Sequence, residues 1–294
     1  MAVGSTSPAR TVTLTNRQAV ALNFTGIAIS GPPFAIATNT CGAGIAAGAG
    51  CTVGVTFTPT ATNSFTGALT FTDSGPNSPQ TVTLTGTGGP PVTLSTNSLS
   101  FGSLAIGNVS SARTVTLTNL LAVPANFTSI AATGPIFAIA GNTCGSSVPS
   151  GARCTVGVTF SPSATGSVSG TLAFTDAASN SPQTVSLSGS GTAPVTLSTT
   201  SLNFGTVAVG STSSTRSVTL TNRQNVALTV SSIATAGSFT VVSSTCGSSL
   251  AVNASCSVGV TFAPKAAGPA TGTLAFTDSA ATSPQSVSLT GTGQ

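Results

Sequence analysis

The 294-residue chain is poor in the side chains that move protons. It has no His, Trp or Tyr, and only three acidic residues, all Asp. Charged residues make up 3% of the chain, against about 25% in an ordinary soluble domain. Each of these shortages excludes something. A Ser triad needs His, and the single lysine, Lys265, gives no credible Ser–Lys dyad. Paired carboxylates of the glycosidase kind need two acids close together. A Ca²⁺ cage needs several acidic or carbonyl oxygens converging on one point. The expectation is therefore that the chain is not an enzyme and holds no cofactor or metal. Six Arg and one Lys give a formal net charge of +4, but they are scattered singly. No patch for nucleic acid is expected. No run approaches the ~18 consecutive apolar residues of a membrane span, so no transmembrane segment is expected. Met1-Ala-Val-Gly has neither the basic start nor the apolar core of a signal peptide.

What the chain does have is a repeat. Arg10-Thr-Val-Thr-Leu-Thr-Asn16 returns as Arg113–Asn119 and, with one Ser for Thr, as Arg216–Asn222, each 103 residues on. The organising stretch runs from Cys144 to Pro162: a turn-rich loop between two cysteines, then a strand with Cys154, Val156, Val158 and Phe160 on one face. It recurs at Cys41–Pro59 and at Cys246–Pro264. In the second copy, Val92–Phe101 reads as a first strand bent in the middle, and Gly102–Gly107 as a turn. Period-two alternation then marks strands at Arg113–Asn119, Ala125–Ala131, Phe137–Ala140, Thr155–Phe160 and Ser167–Asp176, and a last one from Gln183. Seven short strands in about 100 residues, with turn signals every eight to twelve and no helical period, predict an immunoglobulin-like sandwich. The fold class is all-β: three tandem immunoglobulin-like seven-stranded β-sandwiches, at 1–89, 90–192 and 193–294. Short linkers containing Pro91 and Pro194 predict an extended rod.

The first copy departs from the others. Met1 occupies the slot of Leu104 and Val207, so the first copy has no equivalent of residues 90–103, the first strand included. Two readings stay open: the sequence is a piece of a longer array, or a neighbouring chain completes the sheet.

Among residues that could carry chemistry, the cysteines lead. Each pair is separated by nine residues, and metal binding would need further ligands that the units lack. Disulfides Cys41–Cys51, Cys144–Cys154 and Cys246–Cys256 are expected, and with them an oxidising compartment. Asp73, Asp176 and Asp278 share one repeat position and read as turn formers. The recurring Phe residues read as core; Phe65, with no aromatic counterpart, reads as surface-variable. Asn23, Asn108, Asn126 and Asn253 fit the N-glycosylation acceptor pattern, common by chance in a Ser- and Thr-rich chain.

Each unit also carries a string of motifs. Leu-x-Phe-Gly (Leu99–Gly102, Leu202–Gly205) is followed by Val-Thr-Leu-Thr-Asn and the Cys-x9-Cys pair. Then come Val-x-Val-x-Phe-x-Pro, Gly-x-Leu-x-Phe-x-Asp and Ser-Pro-Gln-x-Val-x-Leu. This order and spacing resemble the bacterial choice-of-anchor D repeats, which are similar to the ASPM–SPD-2–Hydin class of immunoglobulin-like domains. The resemblance implies a secreted or surface-attached bacterial protein and supplies no catalytic residue. The expected function is structural: a segment of an extracellular stalk, fibre or filament, self-associating or continuing in a longer array. The alternative is an adhesin or glycan-contacting module that uses variable loops such as Ile45–Gly50. The expected location is extracellular or at the cell surface.

Overall fold

A computed structural model describes all residues from Met1 to Gln294. Alternation decides which side chains face inward. Along Arg153–Phe160 the residues Cys154, Val156, Val158 and Phe160 are buried, and those between them are more exposed. A period of two places alternate side chains on one face of a strand, so this sequence can bury only one face of a sheet.

In the second repeat the strands form two antiparallel-based sheets that close over one core. One sheet has the order Phe137–Asn142, Arg153–Phe160, Arg113–Asn119, Val92–Leu94. The other runs Ser147–Val148, Ala125–Ala132, Gly166–Asp176, Gln183–Thr192, Ser98–Ala105. The first strand therefore changes sheets. Val92–Leu94 pairs antiparallel with Arg113–Asn119, whereas Ser98–Ala105 pairs parallel with Gln183–Thr192. The third repeat has the same strand neighbours in both sheets. Immunoglobulin-like β-sandwiches are thus the fold class.

Two details differ from the sequence reading. Gly102 does not open a turn; the strand runs on to Ala105. Gly102 has φ +66° and the register against the last strand shifts nearby, between Ser188 and Ser190. A glycine in the left-handed region lets a strand bulge and continue. The cysteine loop, read as irregular, contains a two-residue strand, Ser147–Val148, paired with Ala125 and Asn126. So short a strand has no periodicity of its own; its partner lies about twenty residues upstream.

The first repeat has one strand fewer in each sheet. Its sheets are Phe34–Asn39, Gly50–Phe57, Arg10–Thr15 and Gly44–Ile45, Leu22–Ser30, Ser64–Asp73, Gln80–Thr87. The consequence lies in the core. The second and third sandwiches enclose clusters of 17 and 18 buried residues, and the first only 8. Val12, Leu14, Val82 and Leu84 are half-buried, although their counterparts Val115, Leu117, Val185 and Leu187 are at most 1% exposed. Phe65 packs edge-on against Phe57, with ring centroids 5.8 Å apart, and is half-buried. The surface-variable reading of Phe65 is therefore corrected: in this sandwich the ring leans on a core Phe.

Candidate functional site

Disulfides tie each turn-rich loop to the strand that follows it. Cys41–Cys51, Cys144–Cys154 and Cys246–Cys256 are bridged, and no cysteine is free. Cys144 and Cys154 are buried, so the bond packs as part of the core. Closing a loop of about eleven residues restricts the unfolded chain and stabilises the fold by ~3 kcal/mol in a chain-entropy treatment.

A second fastening of the same loop has no obvious sign in the sequence. Asn119, fully buried at the end of its strand, shares its amide hydrogens among the carbonyls of Val123, Val148 and Pro149 at 2.9, 3.0 and 3.1 Å. Its Oδ1 accepts the Leu121 N–H at 3.0 Å. Asn16 and Asn222 make the same set of contacts. An unpaired buried carbonyl is costly, so this one side chain satisfies a turn and a disulfide loop together. Its only sequence signal is the recurrence of Asn after Thr-Leu-Thr.

The three aspartates act within turns. Oδ1 of Asp73, Asp176 and Asp278 accepts the N–H two residues on, at 2.7, 2.8 and 2.9 Å. The Asp N–H in turn donates to Ser78, Ser181 or Ser283, each preceding a cis-proline. The three carboxylates belong to separate sandwiches. No group of three His, Cys, Asp or Glu comes together anywhere in the chain.

The four Asn of the acceptor pattern fall in different settings. Asn23 and Asn126 are exposed on strands, and Asn253 is exposed in a turn with φ 59°. Asn108 is 5% exposed and borders the recess between the second and third sandwiches. A sugar on Asn108 would require that recess to open.

Two kinds of concave surface remain. The first lies at the junctions. Val3 and Gly4 of the first sandwich face Leu121, Val123 and Pro124 of the second across a recess of about 310 Å³. One repeat on, Leu104, Ala105 and Asn108 face Arg223, Gln224 and Val252 across about 460 Å³. The tip residues Val3 and Ser5, and likewise Ile106 and Asn108, are buried. Their counterparts in the third sandwich, Val209 and Ser211, are exposed, with Val209 at 44%.

The second is a groove of about 660 Å³ in the first sandwich, lined by Arg10, Val12, Phe34, Phe57 and Leu84 among others. In the second sandwich the corresponding space is filled. There the Phe101 ring lies 5.7 Å from the rings of both Phe137 and Phe160, with the Arg113 guanidinium 6.0 Å above it. Gly189 permits this packing, because a Cβ there would come within 2.7 Å of the Phe160 ring. None of these surfaces gathers groups able to transfer protons.

Comparison with known families agrees with this geometry. Residues 90–184 match the family described as abnormal spindle-like microcephaly-associated, ASPM-SPD-2-Hydin. Residues 192–294 match the family described as Cep192 domain 4. The resemblance read from the motifs therefore holds at the level of the ASPM-SPD-2-Hydin class of immunoglobulin-like domain. Among solved structures, the ASH/PapD-like domain 7 of human CEP192 is 14% identical, covering 34% of this chain and 85% of its own, with a TM-score of 0.30. A Porphyromonas gingivalis W83 protein of unknown function is also 14% identical, covering 69% of this chain and 99% of its own, with a TM-score of 0.30. Comparison with curated proteins gives no match. No helix is long and apolar enough to cross a membrane.

Proposed function

We propose that the chain is a non-catalytic structural repeat of the extracellular space, a segment of a bacterial surface stalk or filament in which sandwiches stack end to end. One observation carries the reading. The tip around Val3 and Ser5 is buried where a sandwich follows, as is the tip around Ile106 and Asn108, whereas the same tip at Val209 and Ser211 is exposed. The receiving face shows no such contrast: Val20 is 63% exposed and its counterpart Val123, beside a covered tip, is 58% exposed. The same tip-to-face contact recurs at both internal junctions, a head-to-tail arrangement that generates filaments when the rotation does not close. One disulfide per sandwich suits an oxidising compartment, and the lack of His and Glu suits a protein with no turnover chemistry.

Negative-stain electron microscopy of the native material, together with small-angle scattering of the purified chain over a concentration series, tests this. Rods of one sandwich width that lengthen with concentration are expected. A particle that stays a folded-back, compact monomer at the highest concentration would overturn the reading.

A further inference from the structure

We infer that the recess between the second and third sandwiches is a binding site for an acidic sugar, a uronic-acid unit of a polysaccharide. Both sandwiches build its walls. Asn108 comes from the tip of the second, and Thr192 and Thr196 from either side of the linker. Arg223, Asn225 and Asn253 come from two loops of the third. Its volume of about 460 Å³ lies within the range of small-ligand sites.

Three observations set this recess apart from an ordinary joint. The first is a contrast between the junctions. The matching strands end alike at Asn119 and Asn222, but the next three residues are Leu120-Leu121-Ala122 at the first junction and Arg223-Gln224-Asn225 at the second. Leucine and alanine suit a joint that only packs; a guanidinium and two amides gain nothing there without polar partners. The second is Asn253, the one non-glycine residue of the chain with a positive φ, 59°. The same position is Gly48 and Gly151 in the other copies, at φ +72° and +71°. Glycine takes this conformation without cost, so the third loop carries its amide at the expense of backbone strain. The third is Asn108, which is 5% exposed, lines the recess and has no hydrogen-bond partner for its amide within the chain. An amide so placed has given up most of its water and keeps its bonding capacity for what enters.

The site is also held rigid. Asn222, fully buried, donates to the carbonyls of Val226, Leu250 and Ala251 at 2.8, 3.1 and 3.2 Å, and its Oδ1 accepts the Gln224 N–H at 2.9 Å. The loops bearing Arg223 and Asn253 are thereby fastened to each other before any ligand arrives, which lowers the cost of binding. The lining selects the ligand. Arg223 is its single charge and no acid accompanies it, so the ligand carries an anionic group, and a carboxylate fits the guanidinium through two parallel N–H···O bonds. The amides and hydroxyls around it both donate and accept, as sugar hydroxyls do. An acidic peptide side chain would engage Arg223 and leave those groups facing water; a sugar acid engages both. The inference stands apart from the filament reading, because this recess lies within one chain whether or not chains stack.

The test adds a galacturonic-acid trimer to the full 294-residue chain, followed by calorimetry and hydrogen exchange. One site per chain is expected, with new protection in loops 223–226 and 250–254 and none at the first junction. Arg223→Ala should weaken binding about tenfold or more, the scale of one charge-assisted hydrogen bond. Arg153→Ala, at an exposed arginine on another face, should leave it unchanged. Arg223 is itself exposed, and an unchanged unfolding temperature would show that its replacement leaves the fold intact. Absence of binding overturns the inference, as does equal binding of the neutral galactose trimer or equal weakening by Arg153→Ala. A glutamate-rich peptide that binds as tightly as the sugar acid also overturns it, since the partner would then be a protein. Filaments that form while the sugar fails to bind would leave the stacking reading standing and sink this one.

Discussion

The first and second sandwiches are nearly the same sequence in two states of completion. Val12 and Val115 sit in identical heptapeptides, Arg-Thr-Val-Thr-Leu-Thr-Asn, yet Val115 is fully buried and Val12 is not. The difference lies in a distant strand bearing Leu99 and Phe101. Burial here is a property of the assembly of strands rather than of the segment that is buried. A single strand that crosses between both sheets covers both edges, and without it each sheet of the first sandwich is one strand short.

The sharpest way to break the comparison is to make the second sandwich resemble the first. Phe101→Ala removes a ring that touches two others, and should destabilise the second sandwich by about 3–5 kcal/mol. Hydrogen exchange at Val115 and Val185 should then approach the rates at Val12 and Val82. If those amides stay as protected as in the unaltered chain, the strand is not what closes the core. Next in size is the disulfide. Replacing both Cys144 and Cys154 by Ala should cost ~3 kcal/mol through the freed loop. Replacing Cys41 and Cys51 should cost a similar amount, because this loop is closed alike in both sandwiches. Denaturant unfolding followed by domain-resolved exchange measures both, and a much larger loss in one sandwich would show that packing, not loop closure, dominates. The smallest effect concerns the tips. Ile106→Ser should weaken the second sandwich's contact with the third by about 1–2 kcal/mol, the scale of exposing a buried aliphatic side chain. Val209→Ser, at an exposed tip, should leave the stability of the isolated chain within about 0.5 kcal/mol of its original value. Scattering and thermal unfolding compare the two; equal effects would remove the distinction between covered and open ends.

Much of this was legible before any coordinates. Alternation placed Val156, Val158 and Phe160 on an inner face. The recurrence of two cysteines without His pointed to cross-links, and Asp after Phe-Thr marked a turn. Reading failed where the partner is remote. Ser147–Val148 reads as loop because two residues carry no period, and Gly102 as a turn because glycine usually breaks a strand. Asn119 gave only its recurrence, since a side chain bonded to three carbonyls from separate segments leaves no local pattern. Phe65 reads as surface-variable because its counterparts are not aromatic, but the ring finds Phe57 across the adjoining sheet.

The amino-acid order by itself determined the repeat, the strand periods and the side chains available for chemistry, because these depend on neighbours within a few residues. Tertiary structure alone decided that one strand serves two sheets, that identical valines differ in burial, and that the tips of the first two sandwiches are covered by the sandwich that follows. Those outcomes depend on contacts between segments tens of residues apart, and a hydrophobic side chain is buried only when something arrives to cover it.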